Sequence, residues 1–352
     1  MLKRFGGTRL HPATDYAYAI ARLRAIEARL PGQAGMDRLL DTRSVEEAFH
    51  LLVESGIRPP GDDGTNPLNA SNFEAALNLH ALEAIRLLQK IAPDPELFQP
   101  FLAKNDFHNL KVFIKTDLRS FHAGKTGQEP ADDGSSFIPE GLLTGNIPAG
   151  QLFKAFKERK WERMPAILKT TVDQIMEKRA ETAQPGMVDR IADRQCYQHM
   201  HELARQTGVD FIQKTVQIMA DLTNIKAFFR IRKLGLGRDF LLATLVGPGD
   251  LSMRFFSQKF GDSSETMASA LRFTAYAKLV EEGNEDPRGK AADDFLVEHL
   301  RTTRFQAFGP EPLIAHWVAK EFECMNLRMI MTGKIHGIPA ASLKERLRIS
   351  YV

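Results

Sequence analysis

The chain has 352 residues, of which 43% are apolar and 26% are charged, which excludes a wholly disordered protein. Its 47 Lys and Arg against 44 Asp and Glu leave a net charge of +3, too small a basic excess for a dedicated nucleic-acid-binding protein. Only two cysteines occur, so a disulfide framework is excluded and a reducing compartment fits. No apolar run approaches the ~20 residues that span a bilayer, so any membrane role would be peripheral.

Signals for helix starts and ends follow one another along the chain. Ser44 with Glu47, and Ser71 with Glu74, have the spacing of capping boxes, in which a hydroxyl and a carboxylate bind the unpaired amides of a first turn. Glycines predict where four helices end: Gly56, Gly208, Gly235 and Gly283.

Helical periodicity dominates the apolar pattern, most clearly in residues 107–121, 209–234 and 314–329. The second stretch predicts a helix with one buried face, made of Phe211, Thr215, Ile218, Leu222, Ile225 and Phe229. No alternating strand pattern is bounded by hairpin turns. The sequence therefore predicts an all-α fold with a dozen or more helices.

Three segments share one pattern, in which an Asn is followed by an aliphatic residue and then a base. They are HNLKVFIK at 108–115, TNIKAFFR at 223–230 and MNLRMIMT at 325–332. The motif residues are Asn109 with Lys111, Asn224 with Lys226, and Asn326 with Arg328. Since Asn is a poor helix former, we expect each amide to bind backbone groups of a neighbouring helix, with the base emerging at the edge.

The near-equal spacing of the three asparagines predicts three repeated helical modules. Gly, Pro and Asp are abundant at 59–67 and 123–136, which predicts exposed loops. We therefore divide the chain into a first module at 1–122, a linker loop at 123–136, a second module at 137–236 and a third at 237–352. Weaker echoes at 145–153, 246–255 and 337–347 follow the three motifs.

The motifs that would carry catalysis are incomplete. Gly124-Lys125-Thr126 lacks the first glycine of a phosphate-binding loop and follows a helix instead of a strand. Cys196 and His199 share a helix face, but no second cluster completes a tetrahedral metal site. We therefore expect no catalytic residues, no metal, no cofactor and no small-molecule substrate. A helical metalloenzyme that uses Cys196 and His199 remains the alternative from another class.

Basic side chains are concentrated at 154–163 and 226–238. Bases near the end of a helix are favoured by its dipole, which by itself explains both clusters. The functional interpretation is a docking face for acidic partner segments or anionic headgroups, with Lys226, Arg230 and Arg232 as candidate partner-binding residues.

Several segments together resemble the C subunit of the bacterial and archaeal V/A-type rotary ATPases, whose eukaryotic relative is the d subunit of the vacuolar proton pump. They include DYAYAIARLRAIEARL, NDFHNLKVFIK, DLTNIKAFFRIRKLG, FGPEPLIAHWVAKEFECMNLRMIMTGKIHGIP and the terminal RLRISYV. The resemblance runs from about residue 15 to residue 352. It implies three similar modules around a pseudo-threefold axis, forming a funnel-shaped socket.

In that family the socket belongs to the central stalk. It couples an axle, made of the D and F subunits, to the proteolipid ring of the membrane sector, so that rotation links ATP turnover to proton or sodium transport. The resemblance thus implies a non-catalytic, peripheral protein on the cytoplasmic face of the cell membrane, with the membrane stator as a further candidate partner. An unrelated α-helical scaffold protein is the other alternative.

Overall fold

The computed structural model describes residues 4–5, 8–28, 30, 32–59, 61, 67–125, 142–178, 186–261, 264–280 and 289–352. Fifteen α-helices lie in these ranges: α1 Ala17–Glu27, α2 Gly32–Asp41, α3 Val45–Glu54, α4 Phe73–Ile91, α5 Gln99–Lys125, α6 Ala149–Glu158, α7 Ala166–Glu177, α8 Met187–Thr207, α9 Asp210–Lys233, α10 Arg238–Thr244, α11 Met253–Lys259, α12 Ser264–Arg272, α13 Lys290–Arg301, α14 Glu311–Ile335 and α15 Ala340–Lys344. The described β-structure is one antiparallel pair of two-residue strands, β1 Arg4–Phe5 and β2 Thr8–Arg9. The predicted all-α class is confirmed.

The chain divides into two compact units. Unit 1 comprises Met1–Leu97 and Ser264–Val352, and unit 2 comprises Phe98–Ser263. Two of the three asparagine motifs, on α5 and α9, lie in unit 2, and the third, on α14, lies in unit 1. The division into three modules, and their arrangement as a funnel, stay predictions.

Unit 1 is built around α14, which contacts α1, α2, α3, α4 and α13. Leu327, Ile330 and Met331 of α14 are buried in one cluster with Leu39 of α2 and Phe49 of α3. Because α14 is surrounded, its buried residues cover most of its circumference and not one stripe.

Unit 2 is built around α8, which packs along α5, α7 and α9. The Phe113 ring of α5 lies edge-on to Phe153 of α6, with 5.1 Å between ring centroids. The Phe228 ring of α9 lies 6.3 Å from that of Phe256 on α11. Both distances fall in the range that favours paired aromatic rings, so these pairs join the shorter helices to the long ones.

Helix α9 is buried on more of its surface than the single predicted face. Its six predicted residues are buried or half-buried, but so is a second set on the other side of the helix: Ile212, Val216, Ala220, Asn224, Phe228 and Ile231. A helix that is buried on all sides has apolar residues on every face, so the six predicted residues are only part of the buried surface of α9.

One predicted capping box is confirmed and one is wrong. The Ser44 hydroxyl accepts a hydrogen bond from the Glu47 amide at 3.1 Å and starts α3. At the start of α4, Asn72 holds the cap position, and Ser71 binds the side chain of Asn69 instead. The asparagine turn thus replaces the predicted cap.

Helix ends agree with the predicted glycines where the structure describes them. Gly56, Gly208 and Gly235 have positive φ and follow α3, α8 and α9, whereas Gly283 lies outside the described residues. Helix α5 extends to Lys125, into the predicted linker at 123–136, and residues 126–136 are not among those described. Most of the predicted loop at 59–67 also lies outside them.

Candidate functional site

Each motif asparagine binds both backbone groups of one distant residue. The Asn109 amide donates to the Leu143 carbonyl at 2.7 Å and accepts from the Leu143 N–H at 2.8 Å. Asn224 makes the same pair with Val246, at 2.7 and 2.8 Å. Because one side-chain amide offers a donor and an acceptor, it matches one residue of extended backbone.

The third asparagine repeats this geometry in unit 1. Asn326 donates to the Arg348 carbonyl at 2.9 Å and accepts from the Arg348 N–H at 3.0 Å. We call the three arrangements the asparagine clamps. The prediction that the amides bind backbone groups is correct, but the partner is a non-helical segment and not a neighbouring helix, since Leu143, Val246 and Arg348 lie outside the helices.

Two clamps carry an aspartate one helical turn earlier, which was not predicted from the sequence. Asp106 accepts from the N–H groups of Asn146, at 3.2 Å, and Ile147, at 3.0 Å. Asp221 accepts from Asp250 at 2.8 Å and Leu251 at 3.1 Å. The signal for this arrangement is present in the sequence as Asp-x-x-Asn, followed downstream by Gly-x-aliphatic.

The glycines of those segments, Gly145 and Gly249, are required by the close approach of the carboxylates. A Cβ atom at Gly145 would lie 2.0 Å from Oδ1 of Asp106, and one at Gly249 would lie 2.1 Å from Oδ1 of Asp221. Burial raises the pKa of Asp106 to about 6, although the two backbone hydrogen bonds act in the opposite direction.

The third clamp has a glutamate, Glu323, at the corresponding position. Its carboxylate accepts from Lys320 Nζ at 2.9 Å, and Lys320 Nζ lies 2.7 Å from Nε2 of His80 on α4. Burial of Glu323 opposes its ionisation, but Lys320 and His80 together outweigh that effect and lower its pKa to about 2. Glu323 does not bind the backbone that follows the clamped residue Arg348. Instead, Asp294 accepts a hydrogen bond from the Ile349 N–H at 2.7 Å.

The motif bases join neighbouring helices. Lys111 Nζ lies 2.7 Å from Asp193 of α8, and Arg328 Nε lies 2.7 Å from Glu74 of α4. Lys226 is half-buried and also has an interaction partner. The expectation that these bases emerge at an edge stays a prediction: Lys111 and Arg328 are half-buried, and their long side chains reach carboxylates on the next helix.

The three predicted docking residues differ in exposure. Arg230 is exposed, whereas Lys226 and Arg232 are half-buried. The Arg232 guanidinium lies 5.6 Å from the centroid of the Phe228 ring, so its charge is directed toward the core of unit 2. Arg230 is therefore the candidate of the three whose side chain is exposed to solvent.

Large apolar side chains are exposed next to the ends of the long helices. Phe305 and Phe308, which are 93% and 55% exposed, precede α14, and Ile338, which is 44% exposed, follows it. In unit 2, Leu234 and Leu236 follow α9, and Leu234 is 65% exposed. Exposed apolar groups of this size mark candidate interaction sites.

The cysteine of the alternative metal site is a core residue, whereas its histidine, His199, is half-buried. Cys196 is buried with its Sγ 3.7 Å from Sδ of Met200, and burial raises the pKa of its thiol to about 12. A metal ligand must be a thiolate, which this environment disfavours. Among the described residues, no group of three His, Cys, Asp or Glu side chains could hold a metal ion.

None of the helices in the described part of the chain is long and apolar enough to cross a membrane.

A family model for the ATP synthase (C/AC39) subunit matches residues 19–346. The C subunit of the V-type sodium ATPase of Enterococcus hirae is 24% identical over 339 residues, covering 94% of this chain and 97% of the relative. The C subunit of the A-type ATP synthase of Methanocaldococcus jannaschii is 25% identical over 354 residues, covering 94% and 86%. Its counterpart in Pyrococcus abyssi is 24% identical over 358 residues, covering 94% and 90%.

Proposed function

Because this chain belongs to the ATP synthase (C/AC39) subunit family, we propose that it is the coupling piece of a V/A-type rotary ATPase or ATP synthase. In this proposal it joins the axle, formed by the D and F subunits, to the proteolipid ring, as a peripheral protein on the cytoplasmic face of the cell membrane. The membrane stator is a further proposed partner. The chain has a structural role and performs no chemistry of its own.

The observation that carries this proposal is the presence of exposed apolar groups beyond both ends of α14. This helix has 25 residues and is therefore ~37 Å long. Phe305 and Phe308 lie before its first turn, and Ile338 lies after its last. A coupling piece needs two separate contact surfaces held at a fixed distance, and this arrangement offers both within unit 1.

The surroundings of α14 support a role in transmitting force because they brace the helix along its length. Arg328 is paired with Glu74 of α4, and Lys334 Nζ donates to the carbonyls of Leu40 and Thr42 at 2.9 and 2.8 Å. Close packing with polar cross-links gives an element that resists bending, so a force applied at one end reaches the other.

A binding experiment tests the exposed groups at the two ends of α14 separately. The purified chain is mixed with the D and F pair or with proteolipid rings, and binding is measured for wild type, for Phe305→Ser/Phe308→Ser and for Ile338→Ser. We expect each variant to weaken one partner and to spare the other. Phe273→Ser, at a side chain that is 92% exposed in the same unit, is the matched control.

Two outcomes would contradict the proposal. One is unchanged binding of both partners by both end variants, which would leave the exposed groups without a role. The other is robust ATP hydrolysis by the isolated chain, since a structural component of the complex has no catalytic machinery. Charge reversal at Arg230 tests the docking prediction separately, and unchanged assembly would show that this base does not dock a protein partner of the complex.

A further inference from the structure

The end of α9 presents two leucines on a well-defined turn. The Gly235 N–H donates to the Arg232 carbonyl at 3.0 Å, and the Leu236 N–H donates to the Ile231 carbonyl at 3.1 Å. With Gly235 at φ +66°, these bonds form a Schellman motif, which ends the helix and fixes the path of the chain. Leu234 and Leu236 are thus exposed on an ordered turn and not on a frayed end.

Bases surround these leucines. Arg230 and Lys233 precede them, Arg238 follows them, and all three are exposed, with Asp239 as the adjacent acid. Neither Arg230 nor Lys233 forms an ion pair with a residue in the described ranges, and Arg238 donates to the hydroxyl of Ser257. We call residues 230–238 the α9 tip.

The corresponding turn after α14 has a different chemistry. Lys334 holds the position of Arg232 relative to the motif asparagine, and its ammonium group binds two backbone carbonyls of unit 1. Desolvation lowers the pKa of Lys334, which is consistent with a structural contact. The residues of α14 at the positions of Arg230 and Lys233 are Thr332 and Ile335, so the two exposed bases of the α9 tip are not a feature that both helix ends share.

We propose that the α9 tip binds the anionic surface of a lipid bilayer, with Leu234 and Leu236 entering the interfacial region and the bases contacting phosphate groups. Exposed cations attract an anionic partner in general, whether lipid or protein. The two leucines at the apex favour the lipid surface, because apolar side chains enclosed by bases suit the boundary between headgroups and acyl chains. This lipid contact goes beyond the proposed coupling of protein partners and does not depend on it.

The test measures binding of the full chain to vesicles by co-sedimentation. We expect binding to vesicles of phosphatidylglycerol and phosphatidylcholine, little binding to phosphatidylcholine alone, and weaker binding as salt screens the charges. Arg230→Ala and Lys233→Ala should each reduce binding about fivefold. Leu234→Ser/Leu236→Ser should reduce it at least as much while leaving the salt dependence in place.

The matched controls are Lys154→Ala and Lys157→Ala, each of which removes one charge, as each tip substitution does, from an exposed base on α6 of the same unit. We expect both control variants to bind like wild type, and thermal unfolding followed by circular dichroism checks that every variant is folded. Absence of binding to the anionic vesicles, or equal losses in the control and tip variants, would overturn the proposal. Binding of soluble polyglutamate without binding to vesicles would assign the tip to an acidic protein and would equally overturn it.

Discussion

The clamps on α9 and α14 share the asparagine contact but differ in what the carboxylate three residues earlier binds. Both asparagines bind one residue of extended backbone, but Asp221 then binds two further backbone amides, whereas Glu323 forms a cluster with Lys320 and His80. The longer carboxylate contacts a neighbouring helix instead of a connecting segment. The same position of a repeated pattern thus closes a turn in unit 2 and joins two helices in unit 1.

The largest expected effect concerns the glutamate cluster. Lys320→Met leaves the half-buried Glu323 carboxylate without its ammonium partner, which should lower the free energy of unfolding by about 3–5 kcal/mol. Urea unfolding measures the loss. Lys320→Met/Glu323→Leu should recover much of it, because both charges are then removed. A double variant as unstable as the single one would show that the cluster acts by packing alone.

The next effect distinguishes the three asparagine clamps. Asn224→Leu leaves the buried N–H and carbonyl of Val246 unpaired, at about 1–3 kcal/mol for each group. Asn109→Leu and Asn326→Leu should cost less, because Leu143 is exposed and Arg348 is half-buried, so water can replace the amide.

Urea unfolding of the three leucine variants measures this order. Gln258→Leu, at an exposed position of α11, is the control for adding a leucine. No change in any of the three asparagine variants would contradict the clamp role, and equal losses in all three would contradict the role of solvent access.

The two carboxylates before the clamps should respond to pH with opposite signs. Asp106 has its pKa raised to about 6 by burial, so its folded form takes up a proton first. Its contribution to stability is therefore present below about pH 4 and lost as the pH rises through 6. Glu323 has its pKa lowered to about 2, so its contribution is present above about pH 4 and lost as the pH falls toward 2.

Carbon-13 NMR titration of the labelled carboxyl groups measures the pKa values of Asp106 and Glu323 directly. Asp106→Asn should remove the change in folding stability between about pH 4 and 6. It should leave the loss of stability below about pH 4, which depends on Glu323, unchanged. Titration of Asp106 near its ordinary value would show that its two backbone hydrogen bonds outweigh its burial.

The smallest effect concerns the motif bases. The partner carboxylates Asp193 and Glu74 have side chains that are 44% and 46% exposed, so these ion pairs are screened by solvent. Lys111→Met and Arg328→Met should each change the free energy of unfolding by ~0.2–1 kcal/mol. A loss several times larger, measured by urea unfolding, would mean that the bases do more than join two helix surfaces.

Features that depend on neighbouring residues were predictable. Helix periodicity, the Ser44 cap and the glycine at the end of α9 involve contacts within a few residues, so the sequence shows them directly. The Ser71 cap failed because Asn69 and Asn72 offer competing side-chain bonds in the same turn. The family resemblance is confirmed by a match over residues 19–346.

By itself, the sequence determined the helical class, the threefold recurrence of Asn-aliphatic-base and membership in this family. The tertiary structure decided that Leu143, Val246 and Arg348 complete the clamps, that Lys111 and Arg328 pair with other helices, and that Leu234 remains exposed. The physical reason is range. A helical period repeats within one turn, whereas the partner of a buried amide or charge is selected by which distant segments pack together.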